Sequence, residues 1–491
     1  MNSCFELEHG ADWLKRREVI GIFLIGLVII GYFIARTGMG TVSMIVVGPL
    51  LLAFVSMIFI SPRHGIISLL IINFFILGVG RYARVDVPWG LGVDLMFLLI
   101  YLSLFFQSFH KDVNWSLAKN ELTLIGVIWY AYALFELVNP QAGSRVAWFY
   151  AMRGISLYML LTFPLIFILF NRHKDLNLFF LIWGILSILG SLKGIQQQLL
   201  GVDPFEQLWL DEGGAAQHIL FGKLRIFSFY SDAGQFGAAQ GHAGIVFGIL
   251  ASFEKRTRLK IFYIIVSVLG IYGMMISGTR GALAVPIAGL GLYIMLKKNL
   301  KAMIVGGIAL VAIFIFFKYT TIGQGNDTIR RMRTAFDPND ASLQVRLENQ
   351  QKLKAYLAYY PFGGGLGSNG PIGMKYNPGT FLATIPSDSW YVNLWMQLGV
   401  VGLSLHILIL VYILGKTSYT IVFKTRNDWI KNQQMALACG LFGIAIASYG
   451  NGVLGQMPTG ILIYSSMAFM FLSKSYEKEL DLSFPNTVLD E

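Results

Sequence analysis

The sequence predicts an all-α fold, a polytopic bundle of transmembrane helices with one large helical extracytoplasmic loop. Three observations carry that prediction. Of 491 residues 55% are apolar and only 13% charged, where a soluble domain has about a quarter charged. Apolar runs long enough to cross a ~30 Å hydrocarbon core recur along nearly the whole chain. Lysine and arginine also gather on alternate connections between those runs.

Taken in order, windows of about 19 residues place spans near 19–35, 41–61, 65–80, 90–109, 121–138, 154–171, 176–200, 234–252, 261–277, 282–296, 302–317, 392–415, 435–449 and 459–473. That is about fourteen, with twelve to fourteen compatible with the shorter runs. Breakers such as Pro62 and Pro164 support the divisions. The expected organisation is a bundle of eleven spans over 1–317, the loop 318–391, three more spans over 392–473 and a short tail, 474–491. Residues 1–18 are polar and no small-residue cleavage pattern follows the first apolar run, so that run reads as a permanent span. The net charge of +11 is dispersed among hydrophobic runs, which fits anionic lipid rather than nucleic acid. Cys4 and Cys439 are too far apart in sequence to suggest a disulfide framework or a metal site.

Orientation follows from the basic residues. With the N-terminus cytoplasmic, 21 Lys and Arg fall inside and 16 outside, with Lys193 inside a span. Eight of the outer ones lie in the long loop 318–391, which the positive-inside rule discounts. Both termini are therefore expected inside and the loop outside. Within the loop, ASLQVRLENQQKLKAYLAYYP reads as a helix with Asp340 or Ser342 as cap, apolar residues at Leu343, Leu347, Leu353, Tyr356, Leu357 and Tyr360, and Pro361 as stop.

On the outer side, Arg145, Arg153, Lys193, Arg225 and Arg280 each stand at or near the end of an apolar run. Ionisable groups at that depth are costly and usually serve a site. One account has each snorkel to headgroups or pair with an acid such as Asp94, Glu136 or Asp232. The other joins them in a basic cavity for a phosphate-bearing substrate, a pyrophosphate at the interface, because the arginine fork meets two oxygens at once. Other motifs carry less. GLGSNG (365–370) lacks the preceding strand of a dinucleotide site and reads as a tight turn or backbone anion nest. The seven histidines show no ligand spacing, no P-loop is present, and neither a metal nor another cofactor is expected.

The order and spacing of the motifs resemble the O-antigen ligase and polymerase family, most strongly over roughly 270–405. A pattern like S-x-S-R-G at the outer end of a helix is matched by Ser277, Thr279, Arg280 and Gly281. An arginine opening a loop helix that ends in P-x-x-G-x-G is matched by Arg346, then Pro361, Gly364, Gly365 and Gly367. A following segment is matched by Tyr391, Leu394, Gly399 and Gly402. Agreement is looser at FYAMRGISLYML (149–160) and RIFSFYSDAGQFG (225–237).

The resemblance implies transfer of a glycan from an undecaprenyl-pyrophosphate carrier to a hydroxyl, on lipid A-core or another glycan, at the outer face of the bacterial inner membrane. It makes Arg280 and Arg153 the first candidates for the pyrophosphate, then Arg225 and Arg346, with Arg145 and Lys193 in the same basic group. The family has a histidine where the loop rejoins the membrane, and this chain has SDSWY there. Asp388 is the nearest candidate base, with capping of the helix that starts near Trp390 as the other reading. His242 and His218 are the remaining candidate bases. Ligase and polymerase stay open, and a lipid-linked oligosaccharide flippase or secondary transporter is the rival from another class. An introduced Ser342→Cys should react with an impermeant thiol reagent in intact spheroplasts. Labelling only after permeabilisation would reverse the topology.

Overall fold

A computed structural model describes residues 39–83, 88–220, 222–298, 300–325, 327–334 and 340–483. The expected span 19–35, Cys4 and the end of the tail lie outside these residues. Leaving aside four short helices (Pro204–Trp209, Ala215–His218, Gly370–Tyr376 and Phe381–Thr384), the helices are α1 (Met39–Ile60), α2 (Pro62–Ala83), α3 (Leu91–Gln107), α4 (Glu121–Phe135), α5 (Arg145–Leu169), α6 (His173–Leu200), α7 (Ala233–Phe253) and α8 (Thr257–Ile276). They continue as α9 (Ala284–Lys297), α10 (Leu300–Tyr319), α11 (Asp327–Arg333), α12 (Ala341–Leu357), α13 (Trp390–Phe423), α14 (Asp428–Ala447), α15 (Thr459–Phe471) and α16 (Ser473–Ser483). The fold is all-α. Eight helices are long and apolar enough to cross a membrane, and four shorter apolar helices accompany them among the described residues. The only strands described are two residues each, an antiparallel pair β1 (Ile219–Leu220) and β2 (Lys223–Leu224).

Contacts divide the chain into two units. Among the described residues the smaller holds 39–65 and 99–110. In it, Ser103 Oγ donates to the Ile58 carbonyl (2.8 Å) and Gln107 Nε2 to that of Phe59 (2.7 Å). The larger holds the described residues of 66–98 and 111–483, every candidate site residue among them.

The larger unit is organised around α7, of which 78% of the apolar window is buried. Its sequence, AGQFGAAQGHAGIVFGILASF, is rich in glycine and alanine, which lets neighbouring backbones approach closely where lipid removes the hydrophobic drive for helix association. A Cβ at Gly270 of α8 would sit 2.8 Å from the Gln240 carbonyl oxygen of α7. On α9, a Cβ at Gly289 would sit 2.9 Å from the Cys439 carbonyl of α14. Polar glue adds specificity: Gln240 Oε1 accepts from Ser187 (2.8 Å) and Ser191 (3.0 Å) of α6.

Two features of this unit place chain ends where the chemistry is expected. The loop after α6 is tied down by Gln197, whose Oε1 accepts from Ser228 N (2.8 Å) while its amide donates to Glu206 (2.9 Å). Arg81, buried, donates to the carbonyls of Ser228 (2.6 Å) and Tyr230. The second feature is a kink near the start of α13. Gly399 has φ of 64°, a conformation only glycine adopts freely. The kink frees carbonyls that find partners elsewhere: Met396 O accepts from Gly364 N (2.9 Å) and Leu398 O from the Tyr132 hydroxyl (2.9 Å). Gly367 N donates to Gln397 Oε1 (2.7 Å). The glycine run 363–367 is therefore a tight turn seated on α13, with these amide donors spent inside the protein. A Cβ at Gly399 would strike the Pro361 carbonyl. The left-handed conformation alone costs other residues ~1–2 kcal/mol. Gly399→Ala should therefore lower the thermal unfolding temperature of the purified protein by several degrees, whereas Gly415→Ala, where nothing lies within 4 Å, should not.

Candidate active site

The site is built on the turn between α8 and α9. Ser277 Oγ donates to the Met274 carbonyl (2.7 Å) and accepts from Thr279 N (3.1 Å), while Gly278 takes φ of 60°. The chain thereby reverses, and Arg280 opens a 3-10 turn (Arg280–Leu283) that leads into α9. Its Nη1 donates to Asp340 Oδ2 at 2.5 Å and to Thr334 Oγ1 at 3.0 Å. The other oxygen of Asp340 caps α12 by accepting from Leu343 N (3.0 Å). Of the two expected caps it is Asp340 that serves, and it fixes the arginine as well.

Three more guanidiniums gather here. Arg225 leaves β2 and donates from Nη2 to Thr279 Oγ1 at 3.4 Å, and its Nε is buried without a partner. Burial lowers its pKa, with Arg280 and Arg346 adding to the fall against the carboxylates of Asp232 and Asp388. Arg331, on α11, lies over Gly278: a Cβ there would stand 3.5 Å from its Cδ and 3.8 Å from its Nε. Its pKa is also lowered, first by burial and then by Arg225 and Arg280. Arg346 projects from α12 and pairs through Nη2 with Asp388 Oδ2 at 2.7 Å. Arg225 and Arg331 thus meet the turn at adjacent residues, Thr279 and Gly278, next to Arg280, and the charges of Arg346 and Asp388 reach Arg225.

Asp388 does not cap α13. Ser389 does, its Oγ accepting from Val392 N (3.4 Å), so the capping reading of Asp388 is corrected. A free serine one residue closer to the helix outcompetes the aspartate, because Asp388 is turned out to Arg346. Its side chain is 70% exposed, against 40% for Arg346, so the pair is solvent-screened and opens at little cost.

The other expected cations are placed differently. Arg153 pairs with Asp94 (2.6 Å), which also accepts from Tyr158 (2.7 Å), and lies over the Tyr150 ring at 5.0 Å. It opens a π-turn (Arg153–Leu157) within α5. Lys193 is held by Asp203 (3.0 Å) and Glu206 (3.1 Å). Burial by itself would raise the Asp203 carboxyl, but Tyr82, the Glu206 backbone and Lys193 bring it down to about 2. Lys193 thus anchors the loop that presents Arg225. Arg145 is exposed at the start of α5, beside Asn139, Ser144 and Trp148.

The alternative bases are buried. His242 is 1% exposed and packs 4.7 Å from the Trp183 ring. His218 lies between the carbonyls of Gly214 (2.9 Å) and Ser231 (3.2 Å). Burial lowers its pKa despite those bonds.

Two contributors escaped the sequence reading. Arg331 sits in TIRRMR, a charge run of the kind that is usually solvated, and the one available signal was Met332, which is fully buried. The other is the connection 448–458. Ser448 O accepts from Trp390 N (2.9 Å), a Cβ at Gly281 would press on the Asn451 amide, and one at Gly455 on Trp390 and the Gly154 carbonyl. This segment touches both the Arg280 turn and the Arg153 helix.

These features describe a helical protein with eight helices long and apolar enough to cross a membrane, and with arginines gathered where a polar segment meets the helix ends. Residues 265–407 match the model of the O-antigen ligase family, and that match supports the O-antigen ligase family for the chain. It encloses Arg280, Arg331, Arg346 and Asp388, while Arg225 and Arg153 precede it. It supports a function within the ligases and polymerases of that family, which work on glycans. No curated protein matches the chain.

With the cap assigned to Ser389, Asp388→Asn tests the carboxylate alone. Helix stability should be unchanged by Asp388→Asn and reduced by about 1 kcal/mol in Ser389→Ala, as read by thermal unfolding. Equal losses in the two variants would restore Asp388 as a cap.

Proposed function

We propose that the protein is a membrane glycosyltransferase of the ligase type. It moves a glycan from an undecaprenyl-pyrophosphate carrier to a hydroxyl of an acceptor, lipid A-core or another glycan, at the outer face of the bacterial inner membrane. The observation that carries the reading is Arg280 and Arg225 on the Ser277–Gly281 turn, with Arg346, paired to the Asp388 carboxylate, close enough for its charge to act on Arg225.

In this reading Asp388 accepts the proton of the acceptor hydroxyl as its oxygen attacks the anomeric carbon. The bond from that carbon to the pyrophosphate oxygen breaks, and the electron pair leaves on undecaprenyl pyrophosphate. The arginines offset the charge growing there, a task for fixed donors whose orientation is set before the reaction. Arg346 is able to exchange its weak contact with Asp388 for a phosphate oxygen, freeing the carboxylate for the acceptor. Arg153 and Lys193, each already engaged by carboxylates, support the neighbouring helices and loop and take a lesser part in anion binding. Arg145 stays available at the rim for the glycan.

The test is Arg280. Arg280→Lys keeps the charge but loses the planar fork, and glycan transfer in a deletion strain should fall at least about ten-fold. Arg280→Ala should fall further at equal protein level. Transfer near the wild-type rate by Arg280→Ala would remove this residue from the reaction.

A further inference from the structure

Arg331 has no carboxylate within ion-pair distance among the described residues, although two guanidiniums press on it. Arg280 is matched by Asp340 and Arg346 by Asp388, but Arg225 has only a 3.4 Å contact with a threonine hydroxyl. Two half-buried cations at adjacent residues of the turn, Gly278 and Thr279, are therefore left without ion-pair partners among the described residues. Like charges in that setting repel, and removing them from water costs more. An anion between them would relieve both terms.

The backbone is shaped for this arrangement. Gly278 has φ of 60° and no side chain, so the Arg331 stem lies directly on the turn. Met332, fully buried, locks α11 against the protein. Thr279 accepts from Arg225 and donates to the Ala233 carbonyl (2.9 Å), which holds the second guanidinium at the residue next to Gly278.

We infer that Arg331 and Arg225 form a subsite of their own for one phosphate group of the donor, at Gly278 and Thr279 of the turn. Arg280 and Arg346 are left for the other phosphate. The inference rests on the glycosyltransferase reading, and it names a residue and a division of labour that the reading does not contain. A pyrophosphate carrier fills both subsites and a monophosphate only one. Arg331 is thus a binding residue that distinguishes the two classes of polyprenyl lipid.

The experiment uses full-length protein in lipid nanodiscs, with undecaprenyl pyrophosphate and undecaprenyl monophosphate titrated separately and bound lipid counted by native mass spectrometry. Arg331→Ala should weaken pyrophosphate binding at least about ten-fold, the worth of a charge-assisted fork. Monophosphate binding should change less than about three-fold. Arg331→Lys should give a smaller loss with the same preference and is read in place of alanine if that variant fails to fold. Unchanged pyrophosphate affinity in Arg331→Ala, or equal losses for the two lipids, would overturn the subsite while leaving the glycosyltransferase reading intact. A wild-type protein that binds neither lipid would overturn both.

Discussion

The site depends on holding guanidinium groups together with too few carboxylates to neutralise them all. Burial first, and then the charge of neighbouring guanidiniums, lowers the affinity of Arg225 and Arg331 for their protons. Asp340 and Asp388 each match one arginine directly, and Asp232, spent on capping α7 through Gln235 N (3.0 Å), contributes only at a distance. Such a group persists only because the fold around it is rigid. The residual positive charge is what an anionic substrate would satisfy.

The rigidity comes from uncharged parts. Glycine and alanine faces let α7, α8, α9 and α14 pack backbone to backbone, which fixes the Ser277–Gly281 turn. The kink at Gly399 seats the glycine turn and brings α12 onto the start of α13, where Leu353, Leu357, Leu382 and Met396 form a small buried cluster. That cluster aims Arg346 at Asp388. Lys193, Asp203 and Gln197 do the corresponding work for the loop carrying Arg225. Cations that resemble site residues in the sequence thus divide into those that face the open site and those that build it.

Much of this was legible in the sequence. Every predicted span among the described residues coincides with a helix, because twenty apolar residues in a row have few other stable forms in a bilayer. The loop helix was readable from periodic leucines ended by Pro361, with Asp340 and Ser342 both offered as its cap. Arg280 and Arg225 stand out in the sequence because a charge at the end of an apolar run is conspicuous, whereas Arg346 stands out only through the resemblance of its loop helix to the family pattern. Arg153 was equally conspicuous, and the separate pairing with Asp94 followed a rule already in view. Arg331 was hidden for the opposite reason: inside a polar loop an arginine carries no surprise, and only the tertiary approach of α11 to Gly278 gives it meaning. Asp388 and Ser389 compete for one cap, and local sequence cannot rank two good capping residues side by side.

The central claim is that an arginine-lined site breaks a glycan from a lipid pyrophosphate rather than passing the intact lipid across the bilayer. It is tested most directly in sealed proteoliposomes containing the purified protein, a lipid-linked glycan labelled on both lipid and sugar, and an acceptor. The account predicts that labelled undecaprenyl pyrophosphate appears in a one-to-one ratio with glycan joined to the acceptor. Movement of doubly labelled, uncleaved lipid to the opposite leaflet, with no released undecaprenyl pyrophosphate, would contradict it and make the protein a carrier.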